Sequence, residues 1–145
     1  MSRRVFGGIA FTLAILAGGC GGDSPTDPGG NNNNDTRTVK TDPSFSTDVM
    51  EILTRTGCTA SNCHGGTQGG LTLSTAAVSY SNLVNRVATT GDTLVVPGSA
   101  INSYLVKRLE GASGTGARMP VGGPYLDATD MSNVKNWINQ GAKNN

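Results

Sequence analysis

Two cysteines and a histidine stand close together in the sequence, and their side chains could do chemistry as a unit. Cys58, Cys63 and His64 form a C-x4-C-H pattern, and His64 is the only histidine of the chain. Each thiol can add to a vinyl group of a porphyrin, and the adjacent imidazole can then bind the iron as the proximal ligand. The usual spacing of such haem attachment sites is C-x-x-C-H. The longer spacing in this chain requires a bulge between the cysteines. The pattern of two thiols and an adjacent imidazole still predicts covalent haem c at Cys58 and Cys63.

Two other interpretations fit the same heptapeptide. A Cys58–Cys63 disulfide could close a small loop beside His64, which would make the chain a structural or binding lipoprotein without haem. A structural zinc site normally uses four Cys or His ligands. The predicted domain offers only these three, because the third cysteine of the chain, Cys20, lies far upstream.

A methionine is a common second axial ligand of a His-ligated haem. Met50 and Met131 fit the apolar faces of predicted helices, whereas Met119 follows a glycine-rich loop and precedes Pro120, which disfavours helical geometry. We therefore predict Met119 as the distal iron ligand, the alternative being an exposed or gap-filling side chain. Arg108 or Arg118 could pair with a haem propionate, although either could equally be a solvated surface charge.

The composition of the chain also favours a bound haem. Residues 43–145 contain 28 large apolar residues in 103, a thin core for a domain of this size, which a bound haem would supplement. The formal net charge of +1 excludes the strongly basic surface that nucleic-acid binding requires. No nucleic-acid partner is expected.

The N-terminus resembles an export signal. Arg3 and Arg4 precede a 13-residue apolar run, Val5–Ala17, which is too short to span a bilayer. Small residues then lead to Cys20, a pattern typical of bacterial lipoproteins, so residues 1–19 are predicted to be cleaved and Cys20 to carry lipid. An ordinary signal peptide with an incidental cysteine is the alternative.

Residues 20–42 are rich in Gly, Pro, Asp and Asn and predict a disordered tether. With Cys20 acylated, Cys58 and Cys63 remain as a pair, and no odd thiol is left in an exported protein. The expected location is the periplasmic or cell-surface side of a bacterial membrane, held there by the lipid anchor.

Four short helices joined by glycine-rich loops are predicted for residues 43–145, an all-α domain. The predicted helices are Phe45–Thr56 capped by Ser44, Ser74 or Thr75 to about Ala88, Ser99 to about Glu110, and Asp127 to Gly141. Among the side chains expected to face inward are Val49, Leu53, Tyr80, Leu83, Val84, Val87, Ile101, Tyr104, Leu105, Leu109, Val134, Trp137 and Ile138.

The order of these pieces resembles the monohaem class I cytochrome c domains, in particular the small lipoprotein or planctomycete-type modules. The similarity spans about Phe45–Lys143 and includes the Cys63-His64-Gly65 step, Val96-Pro97-Gly98-Ser99, Met119-Pro120 and the closing segment from Val134 to Ala142. The resemblance implies a cytochrome c fold, with the first and last helices crossing so that Val49 and Leu53 meet Trp137 and Ile138. It also implies an electron carrier that meets a redox protein partner, rather than an enzyme; a haem peroxidase would need an open distal site.

Overall fold

The computed structural model describes residues 37–145, and within them the regular elements are helices, with no β-strand. The predicted all-α class is therefore confirmed. Helix α1 has a π-helical first part and an α-helical second part. A 3-10 turn follows the loop that contains Cys58, Cys63 and His64. The elements in chain order are α1 (Phe45–Val49 and Met50–Arg55), the 3-10 turn (Gln68–Gly70), α2 (Ala76–Leu83), α3 (Tyr104–Glu110) and α4 (Ala128–Asn139).

Helix α1 begins differently from the prediction. The Ser44 side chain makes no cap hydrogen bond to α1; its hydroxyl donates instead to the Asn145 carbonyl at 2.8 Å. The Asp48 carboxylate does reach back, and it accepts the Ser44 backbone N–H at 2.8 Å. The predicted Ser44 side-chain cap is therefore wrong. The Asp48 carboxylate, within the first turn, accepts the backbone N–H at the start of the helix instead.

The end of α1 aims the chain at the cysteine motif. Gly57 has a φ of +78°, a left-handed conformation that favours glycine at a helix end. The Cys58 backbone N–H then bonds the Leu53 carbonyl at 2.8 Å. The helix therefore fixes the position of Cys58 directly.

Helices α2 and α3 are shorter than predicted. Helix α2 ends at Leu83. Val84 then forms a parallel bridge with Val95, and residues 86–94 form a small antiparallel hairpin with a bridge between Val87 and Thr93. Val87 is consequently 66% exposed, and its predicted inward position on a helix is wrong. Asn85, with a φ of +56°, marks the departure from helical geometry.

Residues 99–103 form turns instead of the first part of α3. The Ser103 hydroxyl donates to the Ser99 carbonyl at 2.8 Å and accepts the Val96 N–H at 2.9 Å, so it closes a separate turn before the helix begins. Ile101 is 82% exposed, which contradicts its predicted inward position.

Helices α1 and α4 pack together around aromatic side chains. The Phe45 ring lies 4.9 Å from Trp137 and 5.3 Å from Tyr80, centroid to centroid. Val49, Leu53, Trp137 and Ile138 belong to the same buried cluster, in line with the expected meeting of the first and last helices. The start of α4 is as predicted, because the Asp127 carboxylate accepts the Asp130 N–H at 2.8 Å.

A strap formed by residues 38–41 runs along α4. Three amide side chains on one side of α4 and at its end hold the strap backbone: Asn133 bonds Lys40 N–H and the Thr38 carbonyl, Asn136 the Lys40 carbonyl, and Gln140 the Thr41 carbonyl, at 2.7–3.0 Å. Just upstream, the Arg37 guanidinium lies 2.8 Å from both Asp127 and Asp130. The last part of the predicted tether is therefore seated on the helical domain.

Candidate functional site

A cavity of about 950 Å³ brings the predicted site residues together. Cys58, Cys63 and His64 line it, and so do Met119 and Pro120, which lie on a loop far along the chain. Ligand and cofactor cavities in proteins measure about 300–1,000 Å³. The space is therefore of the size that a large cofactor needs, and the residues predicted to hold haem all border it.

The cysteine loop is a tight, internally bonded turn. The His64 N–H donates to the Cys58 carbonyl and the Gly65 N–H to the Ala60 carbonyl, both at 2.9 Å. A Cβ on Gly65 would lie 2.2 Å from the Thr59 carbonyl oxygen, so only glycine fits this close backbone approach. The two extra residues of the C-x4-C-H pattern are thus accommodated inside a compact loop.

His64 is oriented by backbone carbonyls. Its Nδ1 lies 3.0 Å from the Gln68 carbonyl oxygen and 3.3 Å from that of Leu71. Because carbonyls only accept hydrogen bonds, Nδ1 carries the proton, and the lone pair of Nε2 is left for a metal. Gly69 and Gly70, with φ of +64° and +73°, make the turn that places these carbonyls.

The two thiols differ in their surroundings, and both are free in the structure. Cys58 is 9% exposed, and its Sγ lies 3.4 Å from the Thr56 hydroxyl. Burial, with a smaller contribution from the neighbouring Cys63, raises the pKa of the Cys58 thiol, although the contact with Thr56 opposes it. Cys63 is half-buried. Within residues 37–145 no three His, Cys, Asp or Glu side chains converge as a metal-binding group, so the zinc interpretation gains no support.

Met119 is the one methionine of residues 37–145 that lines the cavity. Its backbone N–H donates to the Arg108 carbonyl at 2.9 Å, which ties the loop to α3, and its side chain packs partly buried against the core. Met50 and Met131 also pack against the core but lie away from the cavity. The distinction drawn from the sequence between Met119 and the other two therefore matches their positions.

The two candidate arginines separate in the structure. Arg108 lines the cavity, and its guanidinium donates to the Thr115 carbonyl at 2.6 Å. Arg118 does not line it: its Nε donates to the Leu109 carbonyl at 2.8 Å, and its guanidinium stacks 4.0 Å from the Tyr125 ring centroid. Arg108 is thus the better placed of the two for an anionic group in the cavity.

Sequence reasoning missed Arg86, an exposed residue of the hairpin after α2 that also lines the cavity. The Arg86 carbonyl accepts the Leu94 N–H at 2.7 Å, which fixes the backbone here. The sequence predicted a helix to about Ala88, so Arg86 was assigned to that helix and not to the cavity. No motif identifies it.

The lining suits haem in its chemistry. Apolar side chains such as Leu53, Leu71, Leu94 and Leu105 provide most of the wall, Arg86 and Arg108 provide positive charge, and no Asp or Glu is among the lining residues. An apolar macrocycle with two carboxylates matches such a wall. The imidazole of His64 and the thioether of Met119 are the side chains available as iron ligands. The residues present therefore fit the group that the sequence predicts.

Searches of known protein families, of curated proteins and of solved structures found no match to this chain. In the part of the chain that the structure describes, no helix is long and apolar enough to cross a membrane. The predicted signal at residues 1–19 and the predicted lipid site Cys20 lie outside the described residues, as does most of the tether.

Proposed function

We propose that this chain is a membrane-tethered monohaem c-type cytochrome with a cytochrome c fold, which carries single electrons between exported redox partners. The observation that carries the proposal is the meeting of Cys58, Cys63, His64 and Met119 at one largely apolar cavity. A disulfide-bonded lipoprotein has no use for the oriented imidazole or for the methionine at the same cavity.

Each residue has a defined part in this proposal. Cys58 and Cys63 would hold the cofactor through thioether bonds, His64 would offer Nε2 as the proximal ligand, and Met119 would offer its sulfur as the distal one. Haem held there would supply a one-electron ferric/ferrous couple. The hydrogen bonds from His64 Nδ1 to the Gln68 and Leu71 carbonyls increase the basicity of the ligand and fix its plane.

The cavity wall favours a carrier over an enzyme. A peroxidase needs an open iron position and a group that moves protons near it. Here Met119 would fill that position, His64 would be used as a ligand, and no carboxylate lines the cavity. The Arg108 guanidinium is suited to a propionate, which it would bind while it retains its bond to Thr115.

The test is expression of the full chain in a bacterium that has an active cytochrome c maturation system. We expect a red protein whose denatured polypeptide retains haem, with a mass raised by one haem. Cys58→Ser and Cys63→Ser should each leave a single thioether, and the double variant should lose all covalent haem. Cys20→Ser is the matched control, because it removes a thiol and the predicted lipid site but should retain the haem.

Colourless protein from that host, two mass units below the reduced chain because Cys58 and Cys63 are oxidised together, would refute the proposal. It would instead support a structural or binding lipoprotein.

A further inference from the structure

Residues 71–73 carry one of the two carbonyls that orient His64. The Leu71 carbonyl oxygen lies 3.3 Å from His64 Nδ1, and the Leu73 N–H donates to the His64 backbone carbonyl at 2.6 Å. Both the ring and the backbone of the histidine therefore contact this short segment. Because Nδ1 and Nε2 belong to one rigid ring, whatever fixes residues 71–73 also fixes the direction in which Nε2 points.

The side chain of Asn82 holds the middle of that segment. Asn82 lies near the end of α2, and its Nδ2 donates to the Thr72 carbonyl at 3.0 Å. It is half-buried, and it lines the same cavity as His64. The next residue, Leu83, is fully buried in the core. The amide therefore extends from a part of the helix that is itself fixed.

The two carbonyls at Nδ1 differ in how firmly they are held. Gln68 begins an exposed 3-10 turn whose other two residues are glycines, so water can compete for its carbonyl. Leu71 is half-buried, and the Asn82 amide fixes the residue that follows it. Without that amide the nearest fixed residue would be Leu73, which is 2% exposed and lies two residues beyond the carbonyl that contacts the imidazole.

We infer that Asn82 is a positioning residue for the imidazole of His64. By holding the Thr72 carbonyl, it keeps the neighbouring Leu71 carbonyl on Nδ1, so the proton stays on Nδ1 and the lone pair on Nε2. The inference rests on the proposed function for the use of that lone pair. A carbonyl partner on the other ring nitrogen raises the basicity of a ligating imidazole. Since a more basic ligand favours ferric iron, Asn82 should hold the reduction potential below the value it would otherwise have.

A purely structural role for Asn82 is the competing explanation. Its amide would then only stabilise the contact between α2 and residues 71–73. Asn136 makes a comparable bond on α4, where its Nδ2 donates to the Lys40 carbonyl at 2.7 Å. Both asparagines are half-buried on a helix, and each donates to one backbone carbonyl. Asn136 does not line the cavity, which makes it the matched control.

The experiment uses the full mature chain with isotopically labelled histidine, and with Cys20→Ser to keep it free of lipid. His64 is the only histidine, so the imidazole signals in the NMR spectrum come from this residue alone. With haem bound and reduced, exchange of the Nδ1 proton with water measures its hydrogen bonding. Asn82→Leu nearly keeps the size of the side chain but removes the donor, and exchange should accelerate by about fivefold, the factor for one ordinary hydrogen bond. Asn136→Leu should exchange like the parent.

The reduction potential is a second readout, which a change in stability alone would not move. Asn82→Leu should have a more positive potential than the parent, because a less basic imidazole favours ferrous iron. Asn136→Leu should keep the parent's potential. Asn82→Asp is a second variant of almost the same shape whose ionised carboxylate cannot donate, so its Nδ1 proton should also exchange faster. Only its exchange rate is compared, because the new charge would itself shift the potential.

Equal exchange rates in the parent and in the Asn82 and Asn136 variants would overturn the inference, even if Asn82→Leu unfolds at a lower temperature. That result would leave the proposed haem protein intact. Protein isolated without haem would instead refute the proposed function, and the same labelled spectrum would then show which ring nitrogen carries the proton. A shift of that proton from Nδ1 towards Nε2 in Asn82→Leu, and not in Asn136→Leu, would support the positioning role on its own; the same tautomer in all three proteins would overturn it.

Discussion

Replacing Gly65 by alanine tests the geometry of the cysteine loop. The φ of Gly65 lies outside the left-handed region, so alanine can adopt the backbone, and the cost comes from contact alone. The new Cβ would meet the Thr59 oxygen at 2.2 Å and the Ala60 carbonyl atoms at 2.9 Å. Non-bonded atoms prefer about 3.5–4.0 Å, so the two chain segments must move apart by about 1 Å.

Such overpacking costs about 1–3 kcal/mol, and two segments of backbone yield less easily than a side chain. The lower entropy of the unfolded alanine variant offsets about 0.4–1 kcal/mol, which leaves a net loss of about 2 kcal/mol. For a domain of this size each kcal/mol corresponds to about 4–8 °C in Tm, so Tm should fall by about 8–16 °C. Far-ultraviolet circular dichroism during heating measures this, and haem per polypeptide should fall as well because Cys63 and His64 lie in the displaced loop.

The adjacent Gly66→Ala is the control. Its Cβ would meet only the Ser61 oxygen, at 3.3 Å, and its φ is also outside the left-handed region. It should change Tm by no more than about 2–4 °C, the equivalent of about 0.5 kcal/mol. Equal Tm values for the two variants would show that the close approach at Gly65 does not govern the loop.

Three other variants probe separate parts of the molecule. Met119→Leu removes the proposed distal sulfur, so the reduced protein should bind carbon monoxide rapidly, whereas Met131→Leu should behave as the parent; slow binding by both would argue against the Met119 ligand. Burial acts to raise the pKa of Asp48, but its hydrogen bonds with Lys40 and the helix backbone outweigh that and hold the pKa below its ordinary 3.8. This stabilisation is complete above pH 3.8 and is lost as pH falls through the folded pKa. The deficit of Asp48→Asn in urea unfolding, about 1 kcal/mol at pH 7, should therefore shrink as the pH is lowered below 3.8. Ser79 is fully buried and its hydroxyl lacks a hydrogen-bond partner in residues 37–145, so Ser79→Ala should raise the free energy of unfolding by about 0.5–1 kcal/mol, and a loss in the same urea titration would reveal a hidden partner.

The first and last helices were predictable because their signals agree with each other. Phe45, Val49, Ile52 and Leu53 follow the helical period and are all buried. For α4, Asp127 supplies a cap where the apolar period begins. Local pattern and tertiary packing point to the same structure at both ends of the domain.

The middle of the domain was less predictable, since apolar spacing there fits two structures. Val84 and Val87 suit a helix face, but Val84 forms a parallel bridge with Val95 and Val87 an antiparallel bridge with Thr93, and these pairings replace the helix. Ile101 was assigned inward from spacing alone, whereas the Ser103 side-chain bonds set the start of α3. Hydrogen bonds of this kind depend on neighbours that the sequence pattern does not identify.

The candidate site was likewise predictable only in part. Cys58, Cys63 and His64 are neighbours in the chain, so their proximity follows from the sequence. The presence of Met119 at the same cavity is a tertiary fact, anticipated only because the other methionines fit helix faces. Arg86 comes to the cavity through a hairpin that the sequence did not predict, and so it could not be foreseen.

The strap on α4 has a mechanical consequence. The chain upstream of residue 37 joins the domain at the N-terminal end of α4, where Arg37 meets Asp127 and Asp130. None of the cavity-lining residues comes from 37–41 or 128–139. A force applied to the chain at Arg37 would therefore reach α4 first and then, through the Arg55–Asp130 contact, α1, whose end leads into Cys58. The strap itself contributes no residue to the cavity, so any coupling between the entering chain and His64 would run through these helices.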